Sequence, residues 1–356
     1  MSRLDLLERT ATLVDIASES FHEQEIVAFL EAQLRRVPWL EVNRLGDNLV
    51  ARTQLGRQRR LLLGGHTDTV PANDNMGARI DGDTLWGLGA ADMKGGLAVM
   101  LALAETQPDP AVDVTYLFYA REEVALAHNG LRELFAERPD LLAADLALLG
   151  EPTAGVVEAG CQGTMRFELG MQGTRAHTAR PWMGTNAIHR LAPVLAAISA
   201  YEAREPLIQG CQFREALQAV HVDGGIAGNV VPDHATLLVN HRVAPDRTLD
   251  EAEAHVRALL DPHLAVGDTL TVVDAAPPAH PNLDNPLLAA MVGRHDLRVE
   301  AKLGWTDVAF FAEQGIPAAN FGPGDATIAH TRDERVERVA VEACYELLRR
   351  VLSEGV

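Results

Sequence analysis

The sequence predicts an α/β protein with a mostly parallel sheet, into which a smaller α+β domain is inserted. Three observations support this fold class. Apolar, β-rich stretches alternate with helical stretches at both ends of the chain, the middle of the chain has a different order of elements, and 356 residues suit roughly two domains. Apolar strands that are separated by helices usually form a parallel sheet covered on both faces.

The outer parts of the chain supply the elements of the predicted parallel sheet. Helical patterns cover residues 4–16, 23–36, 95–105, 307–314 and 335–352. Strand-like patterns cover residues 48–53, 60–63, 112–120, 145–149 and 316–321. We therefore expect one discontinuous outer domain, formed by residues 1–163 and 278–356.

The middle of the chain predicts a separate domain over residues 164–277. Its expected elements are a strand, a helix, two strands, a helix and a strand, at residues 165–172, 185–201, 216–222, 235–243, 248 onward and 270–274. Thr248 and Glu251 have the spacing of a capping box at the start of the second helix. The order β-α-β-β-α-β is the ferredoxin-like arrangement.

Composition excludes several classes of protein. The chain has 31 Lys+Arg and 50 Asp+Glu, and its net charge of -19 argues against nucleic acid or an anionic membrane as a partner. The longest apolar runs, such as residues 97–104, are much shorter than the roughly 18 residues that span a bilayer. The start of the chain lacks the pattern of a signal peptide, and the three cysteines show no CxxC spacing. We expect a cytoplasmic protein without disulfides.

Titratable residues follow the predicted strands at their carboxyl ends, where α/β proteins form their sites. They are His66 and Asp68, Glu122 and Glu123, Glu151, and His330, while Asp92 precedes a helix. Imidazole and carboxylate groups without thiolates favour zinc, with cobalt or manganese as possible substitutes. The pattern therefore predicts a metal site at one edge of the sheet.

The spacing of these residues suggests divided roles. His66 and Asp68 are two residues apart on an extended segment, so that Asp68 could orient the His66 ring. One of the adjacent acids Glu122 and Glu123 could bind metal, while the other takes a proton from water. Each residue alone also has a plainer interpretation, such as a structural histidine, a solvated loop acid or, for Asp92, a favourable charge at a helix N-terminus.

The segments GGHTDTVP, GLGAADMKGG, REEVA, LGEPT and IAHTRDE resemble, in order and spacing, those of the M20 family of co-catalytic zinc aminoacylases and exopeptidases. This resemblance implies two zinc ions per chain, bridged by Asp92. It assigns His66 and Glu151 to one ion, and Glu123 and His330 to the other. It also implies that Glu122 is the general acid/base and that Asp68 supports His66. In this family the inserted domain serves as a lid and as the dimerisation domain, which implies a homodimer.

Within the family, the stretches GTRAHTARPWMGTNAIHR and NFGPGDATIAHTRDE are most similar to desuccinylases of the actinobacterial type. This similarity implies hydrolysis of an N-succinyl diamino acid, a small-molecule substrate. His177 matches the lid histidine that polarises the scissile carbonyl, and the sequence permits it to act within its own chain or across a dimer.

Several residues are candidates for binding the substrate. Asn240 and Arg242 share one face of a predicted strand, and an arginine can hold a carboxylate by two hydrogen bonds. The resemblance adds Asn229, and Thr306 and Arg180 are further candidates. Thr306 stands in Gly-Trp-Thr-Asp, where the bacterial desuccinylases have Gly-Thr-Ser-Asp, so the substrate contacts around Trp305 can differ.

Three alternative functions remain open from the sequence. The chain could be another M20 hydrolase, such as an acetylornithine deacetylase or a metallocarboxypeptidase. It could be a metal-binding protein without catalytic activity, although an intact Glu122 argues against this. The glycine-rich GLGAADMKGG could belong to a nucleotide-binding protein, but its order is not GxGxxG and its neighbouring acids would repel phosphate.

Overall fold

A computed structural model describes residues 4–355 of the chain, which divide into two compact units. Unit 1 contains Met1–Ala159, Pro281–Glu300 and Asp307–Val356, and unit 2 contains Gly160–His280 and Ala301–Thr306. Among the described residues, none of the helices combines the length and the apolar character that crossing a membrane requires.

The α-helices are α1 (Leu6–Val14), α2 (Gln24–Leu34), α3 (Gly95–Thr106), α4 (Gly130–Glu137), α5 (Pro139–Leu142), α6 (Ala187–Arg190), α7 (Ala192–Ser199), α8 (Leu249–Leu260), α9 (Pro286–His295), α10 (Val308–Glu313) and α11 (Arg338–Glu354). The strands are β1 (Glu41–Leu45), β2 (Asn48–Arg52), β3 (Arg60–His66), β4 (Arg79–Asp81), β5 (Thr84–Trp86), β6 (Asp113–Tyr119), β7 (Leu146–Leu149), β8 (Val157–Ala159), β9 (Gly163–Gln172), β10 (Leu207–Ile208), β11 (Cys211–Gln212), β12 (Ala216–Gly224), β13 (His234–Val243), β14 (Thr269–Ala276), β15 (Val299–Ala301), β16 (Ala318–Asn320) and β17 (Arg335–Glu337).

Unit 1 is built on an eight-stranded sheet with the order β1-β2-β6-β3-β7-β16-β8-β15. The four central strands β6, β3, β7 and β16 run parallel to one another, whereas β1, β2 and β8 pair antiparallel with their neighbours. Helices α1, α2, α3 and α11 contribute to the hydrophobic core beside the sheet. The predicted α/β class with a mostly parallel sheet is thus confirmed, and the antiparallel strands lie at the edges.

Unit 2 has the predicted order of elements, with β9, the helices α6 and α7, β12, β13, α8 and β14. Its four long strands form an antiparallel sheet in the order β12-β13-β9-β14, and the helices cover one face through a separate hydrophobic core. Both hydrogen bonds of the capping box between Thr248 and Glu251 are present at the start of α8. The unit extends a few residues beyond the expected 164–277 at each end and also includes residues 301–306.

Two predicted helices differ from the structure. Residues 185–201 form α6 and α7 in place of one helix, and Pro193 lies in the first turn of α7, where its missing N–H is tolerated. Residues 335–337 were expected to begin the closing helix, but they form β17, which pairs with β5. The hydrogen-bond partners of β17 lie far away in the chain, and so helical periodicity alone could not reveal them.

Candidate metal centre

The central parallel strands bring the predicted site residues of unit 1 together. His66 is the last residue of β3, Glu122 and Glu123 follow β6, and Glu151 follows β7. Parallel strands that lie side by side end at the same edge of the sheet, so the residues that follow them are neighbours. Gly96 allows α3 to approach this edge, because a Cβ atom there would lie 2.4 Å from the Gly150 carbonyl oxygen.

Asp92 lies at the centre of this group. Its Oδ1 is 3.1 Å from His66 Nε2, and its Oδ2 is 3.4 Å from His330 Nε2. His330 Nε2 is also 2.8 Å from Glu123 Oε1. Within residues 4–355, ligand atoms within 4.8 Å of one another form three groups: His66, Asp92 and Glu151; His66, Glu122 and Glu123; and Asp92, Glu123 and His330. The two oxygens of one carboxylate therefore face two different histidines.

The donor set fits a metal ion at each histidine. His66 Nδ1 donates a hydrogen bond to the Asp68 backbone carbonyl at 3.0 Å, which leaves the Nε2 lone pair facing Asp92 Oδ1. Two acceptors at 3.1 Å repel each other unless a cation lies between them. In the metal-free protein this cation is a proton, and in the loaded protein it would be a metal ion.

The protonation of the metal-free centre follows from these contacts. Burial disfavours the His66 imidazolium, but hydrogen bonds to Asp68 and Asp92 outweigh it and raise the pKa of His66 well above its ordinary value. Hydrogen bonds to Asp92 and Glu123 raise the pKa of His330 to about 10. The same two histidines, acting against burial, hold the pKa of Asp92 far below its ordinary value. Both imidazoles therefore carry a proton that a metal ion would displace.

Asp68 has more partners than the one that the sequence suggested. His66 Nδ1 donates to the backbone carbonyl of Asp68, and the carboxylate oxygen Oδ1 lies 3.5 Å from the same nitrogen. The carboxylate also accepts the backbone N–H groups of Glu122 at 3.0 Å and Glu123 at 3.1 Å, and the Ser20 hydroxyl at 2.8 Å. Asp68 thus fixes the backbone of both acids as well as supporting His66.

Glu122 lies in a site that favours its protonated form when no metal is bound. Desolvation, and then the nearby charge of Asp307, raise the pKa of Glu122 well above its ordinary value. Burial also raises the pKa of Asp307, to about 6, although hydrogen bonds from Asn129 Nδ2 reach both of its oxygens at 3.0 Å. A carboxylate with a raised pKa is suited to return a proton as well as to accept one.

Two buried acids near the centre escaped the sequence analysis. Asp307 follows Thr306, and only Thr306 was considered as a candidate. Glu334 ends the IAHTRDE segment, and its Oε1 accepts the backbone N–H groups of Ala91 and Asp92. Their presence in the same short segments as predicted site residues was the only available signal, because neither lies directly after a strand.

In unit 2, the structure brings the predicted residues His177 and Asn229 onto adjoining loops. Thr178 N donates to the Asn229 carbonyl at 3.0 Å, and residues 177 and 230 form a β-bridge. His177 Nδ1 accepts the Ala179 N–H at 3.0 Å, so that the proton of a neutral ring lies on Nε2. The exposed His177 therefore presents a hydrogen-bond donor. Arg180 is exposed on the same loop.

The other substrate candidates of unit 2 are half-buried or buried. On β13, Asn240 donates to Thr164 Oγ1 at 2.9 Å. Arg242 is half-buried, and burial and the neighbouring charge of Arg166 lower its pKa. No acid within residues 4–355 forms an ion pair with Arg242. Thr306 is buried, and the indole N–H of Trp305 donates to the Pro277 carbonyl at 3.1 Å.

Comparison with known proteins identifies the family. The model of peptidase family M20/M25/M40 matches residues 62–354, and this chain belongs to that family. A protein of Mycobacterium tuberculosis that carries the provisional name succinyl-diaminopimelate desuccinylase is 50% identical over 98% of both chains. The succinyl-diaminopimelate desuccinylase of Corynebacterium glutamicum is 43% identical over 98% of this chain and 96% of its own.

Solved structures show the same fold. A tripeptidase of Staphylococcus aureus has a TM-score of 0.80 at 24% identity, covering 98% of this chain and 97% of its own. A Bacillus subtilis protein, described as a dinuclear metal binding peptidase from the M20 family, has a TM-score of 0.72 at 16% identity, covering 98% of this chain and 96% of its own. The expected M20 resemblance is confirmed.

Proposed function

We propose that this chain is a succinyl-diaminopimelate desuccinylase, which hydrolyses N-succinyl-LL-2,6-diaminopimelate to succinate and LL-2,6-diaminopimelate. The observation that carries the proposal is the Asp92 carboxylate, whose two oxygens face His66 and His330 and are surrounded by further carboxylates. The names of the relatives at 50% and 43% identity supply the substrate. The product serves lysine biosynthesis, which would place the reaction in the cytoplasm.

The proposed ligands are those of the sequence analysis. His66 and Glu151 would hold one zinc ion, Glu123 and His330 the other, and Asp92 both, with cobalt or manganese as possible substitutes. Zinc supplies a Lewis acid for the amide carbonyl and a water molecule that ionises near neutral pH. Each histidine has carboxylate oxygens within 4.8 Å, those of Asp92 and Glu151 at His66 and those of Asp92 and Glu123 at His330, and this supports the assignment.

In the proposed reaction Glu122 first takes a proton from the attacking water, whose oxygen bonds to the amide carbon. The C–N bond then breaks, and Glu122 returns the proton to the leaving amine. Asp68 supports both steps because it holds the backbone N–H groups of Glu122 and Glu123. His177 would donate a hydrogen bond from Nε2–H to the oxygen that becomes negatively charged, which lowers the barrier.

The half-buried Arg242 supports a substrate with carboxylate groups. A guanidinium group that is partly removed from water, beside Arg166 and without an ion pair in the described chain, is stabilised when an anion approaches it. We infer that Arg242 binds a substrate carboxylate through two hydrogen bonds. Asn229, Asn240, Thr306 and Arg180 remain proposed substrate contacts.

We also propose that unit 2 is the lid and that two copies of the protein form a homodimer through it. Its strand β12 lies at an edge of the sheet, and Val220 and Val222 on this strand are 52% and 56% exposed. An uncovered edge strand with apolar side chains can pair with the same strand of a second copy. In this arrangement His177 would serve the partner's metal centre.

The proposal is tested by a panel of substrates assayed with added zinc, cobalt or manganese. We expect N-succinyl-LL-2,6-diaminopimelate to have a higher kcat/KM than N-acetylornithine, N-acetylated amino acids and dipeptides. A preference for an acetylated substrate or a dipeptide would contradict the proposed specificity. Metal-dependent hydrolysis of none of these substrates would contradict the proposed function.

A further inference from the structure

A buried acid outside the proposed ligand set contacts the segment that carries Asp92. Glu334 is 1% exposed, and its Oε1 accepts the N–H groups of Ala91 and Asp92, both at 3.0 Å. We propose that Glu334 is a positioning residue, which holds the Asp92 carboxylate where its two oxygens face His66 and His330. This inference rests on the metal centre of the proposed function.

The backbone around Asp92 needs such a support. Asp92 has φ −120° and ψ 93°, which is an extended conformation between the glycine-rich turn before it and the start of α3. The direction of its side chain therefore is not set by a regular helix. A carboxylate that receives two successive N–H groups sets the orientation of both peptide planes, and hence the direction of the Asp92 Cα–Cβ bond.

Glu334 also connects the segments that carry Asp92 and His330. Its backbone carbonyl accepts the Gly87 N–H at 3.1 Å, and its own N–H donates to the Thr331 carbonyl at 3.3 Å. The next residue, Arg335, pairs with Trp86 at the start of β17. The main chain and side chain of one residue thus join residues 87–92 to the turn that begins at His330.

The distances at the centre show why this connection matters. Asp92 Oδ2 lies 3.4 Å from His330 Nε2, and these two atoms belong to segments far apart in the sequence. A small rotation of the peptide at Asp92 would move one carboxylate oxygen away from its histidine. Groups that orient metal ligands typically contribute about 10–100-fold to metal affinity.

Two substitutions separate the geometry of Glu334 from its charge. Glu334→Gln keeps an acceptor oxygen at the same distance from the backbone but removes the charge. Glu334→Asp keeps the charge but withdraws the oxygens by one methylene group. The matched control is Glu337→Ala, because Glu337 is an exposed acid in β17 that bonds only the Thr84 hydroxyl, at 2.7 Å, in the described contacts.

The measurements are Zn²⁺ and Co²⁺ affinity by chelator competition, the visible spectrum of bound Co²⁺, and circular dichroism below the melting temperature of each variant. We expect Glu334→Asp to weaken the binding of at least one ion by about 10–100-fold and to change the Co²⁺ spectrum. Glu334→Gln should stay within a few-fold of the wild type, and Glu337→Ala should bind metal normally.

Wild-type affinity and an unchanged spectrum in Glu334→Asp would overturn the inference. Equal losses in the Gln and Asp variants would overturn it too, because an acceptor oxygen kept at its wild-type position in Glu334→Gln would then not preserve the centre. A wild-type protein that binds two metal ions but does not cleave the succinylated substrate would contradict only the proposed function. A wild-type protein that binds no metal would overturn both.

Discussion

Asp68→Asn is a sharp test of how the centre is held, because an amide cannot replace this carboxylate. Each carboxylate oxygen accepts one backbone N–H group, Oδ1 that of Glu122 and Oδ2 that of Glu123. An asparagine has one acceptor oxygen and one NH₂ donor group. In either orientation the NH₂ group faces one of the two N–H groups, and that hydrogen bond is lost.

The size of the effect follows from this single loss. A hydrogen bond to a charged group contributes about 1.5–3 kcal/mol. If the whole loss is expressed in the transition state, through the position of Glu122, kcat/KM falls by about 10- to 150-fold. Asp68 is 1% exposed, and so water cannot readily replace the missing acceptor.

The assay compares kcat/KM at saturating zinc for the wild type, Asp68→Asn and Ser20→Ala. Ser20→Ala removes the 2.8 Å hydroxyl bond to Asp68 Oδ2 but leaves both backbone bonds, and we expect a smaller loss. The backbone carbonyl that accepts His66 Nδ1–H is unchanged in both variants. Metal content should therefore stay close to that of the wild type.

A wild-type kcat/KM in Asp68→Asn would contradict this prediction, since it would show that the backbone bonds to Glu122 and Glu123 do not contribute to catalysis. If Asp68→Asn loses metal but recovers the wild-type kcat/KM when zinc is added back, Asp68 acts by holding His66.

Four further predictions concern the base, the histidines, the substrate and the dimer. Glu122→Gln should lower kcat by at least roughly a hundredfold with unchanged zinc content, because the amide cannot take a proton. Zinc binding at about pH 7 should release about two protons, one from His66 and one from His330, whose pKa is about 10 without metal, as measured by calorimetry in buffers of different ionisation enthalpy. Since this pKa is raised, metal affinity should increase with pH up to that value. The imidazolium's contribution to the stability of the metal-free protein should be full below about pH 6.5 and should disappear towards pH 10. Arg242→Lys should raise KM for the succinylated substrate, because the planar fork is lost while the charge is kept. Mixing Glu122→Ala with His177→Ala chains under subunit exchange should restore roughly a quarter of the sites if His177 acts across a dimer.

Each of these predictions has a contradicting result. Loss of zinc from Glu122→Gln would make Glu122 a ligand, and zinc binding without proton release would mean that His330 is neutral in the free protein. An unchanged KM in Arg242→Lys would remove Arg242 from the substrate site. No recovery of activity after confirmed subunit exchange would contradict the action of His177 on the partner's centre.

Local patterns were sufficient to predict the class of fold and the neighbourhood of most of the metal centre. The apolar stretches 60–63, 112–120 and 145–149 became the central strands β3, β6 and β7. Parallel strands share one edge, so the sequence alone predicts that His66, Glu123 and Glu151 at their ends lie close together. Amphipathic periodicity and the residue types at strand ends involve residues that are close together in the sequence, so the sequence alone predicts them.

The tertiary structure alone decided which atoms face one another. Residue types at the strand ends are visible along the chain, but the partners of Asp68 are backbone N–H groups, which every residue other than proline carries. No residue pattern distinguishes the N–H groups that a distant carboxylate will accept. The same holds for Glu334, whose bonds to Ala91 and Asp92 depend on the pairing of β17 with β5. Contacts of this kind form only when the chain has folded, because they depend on how whole elements pack against one another.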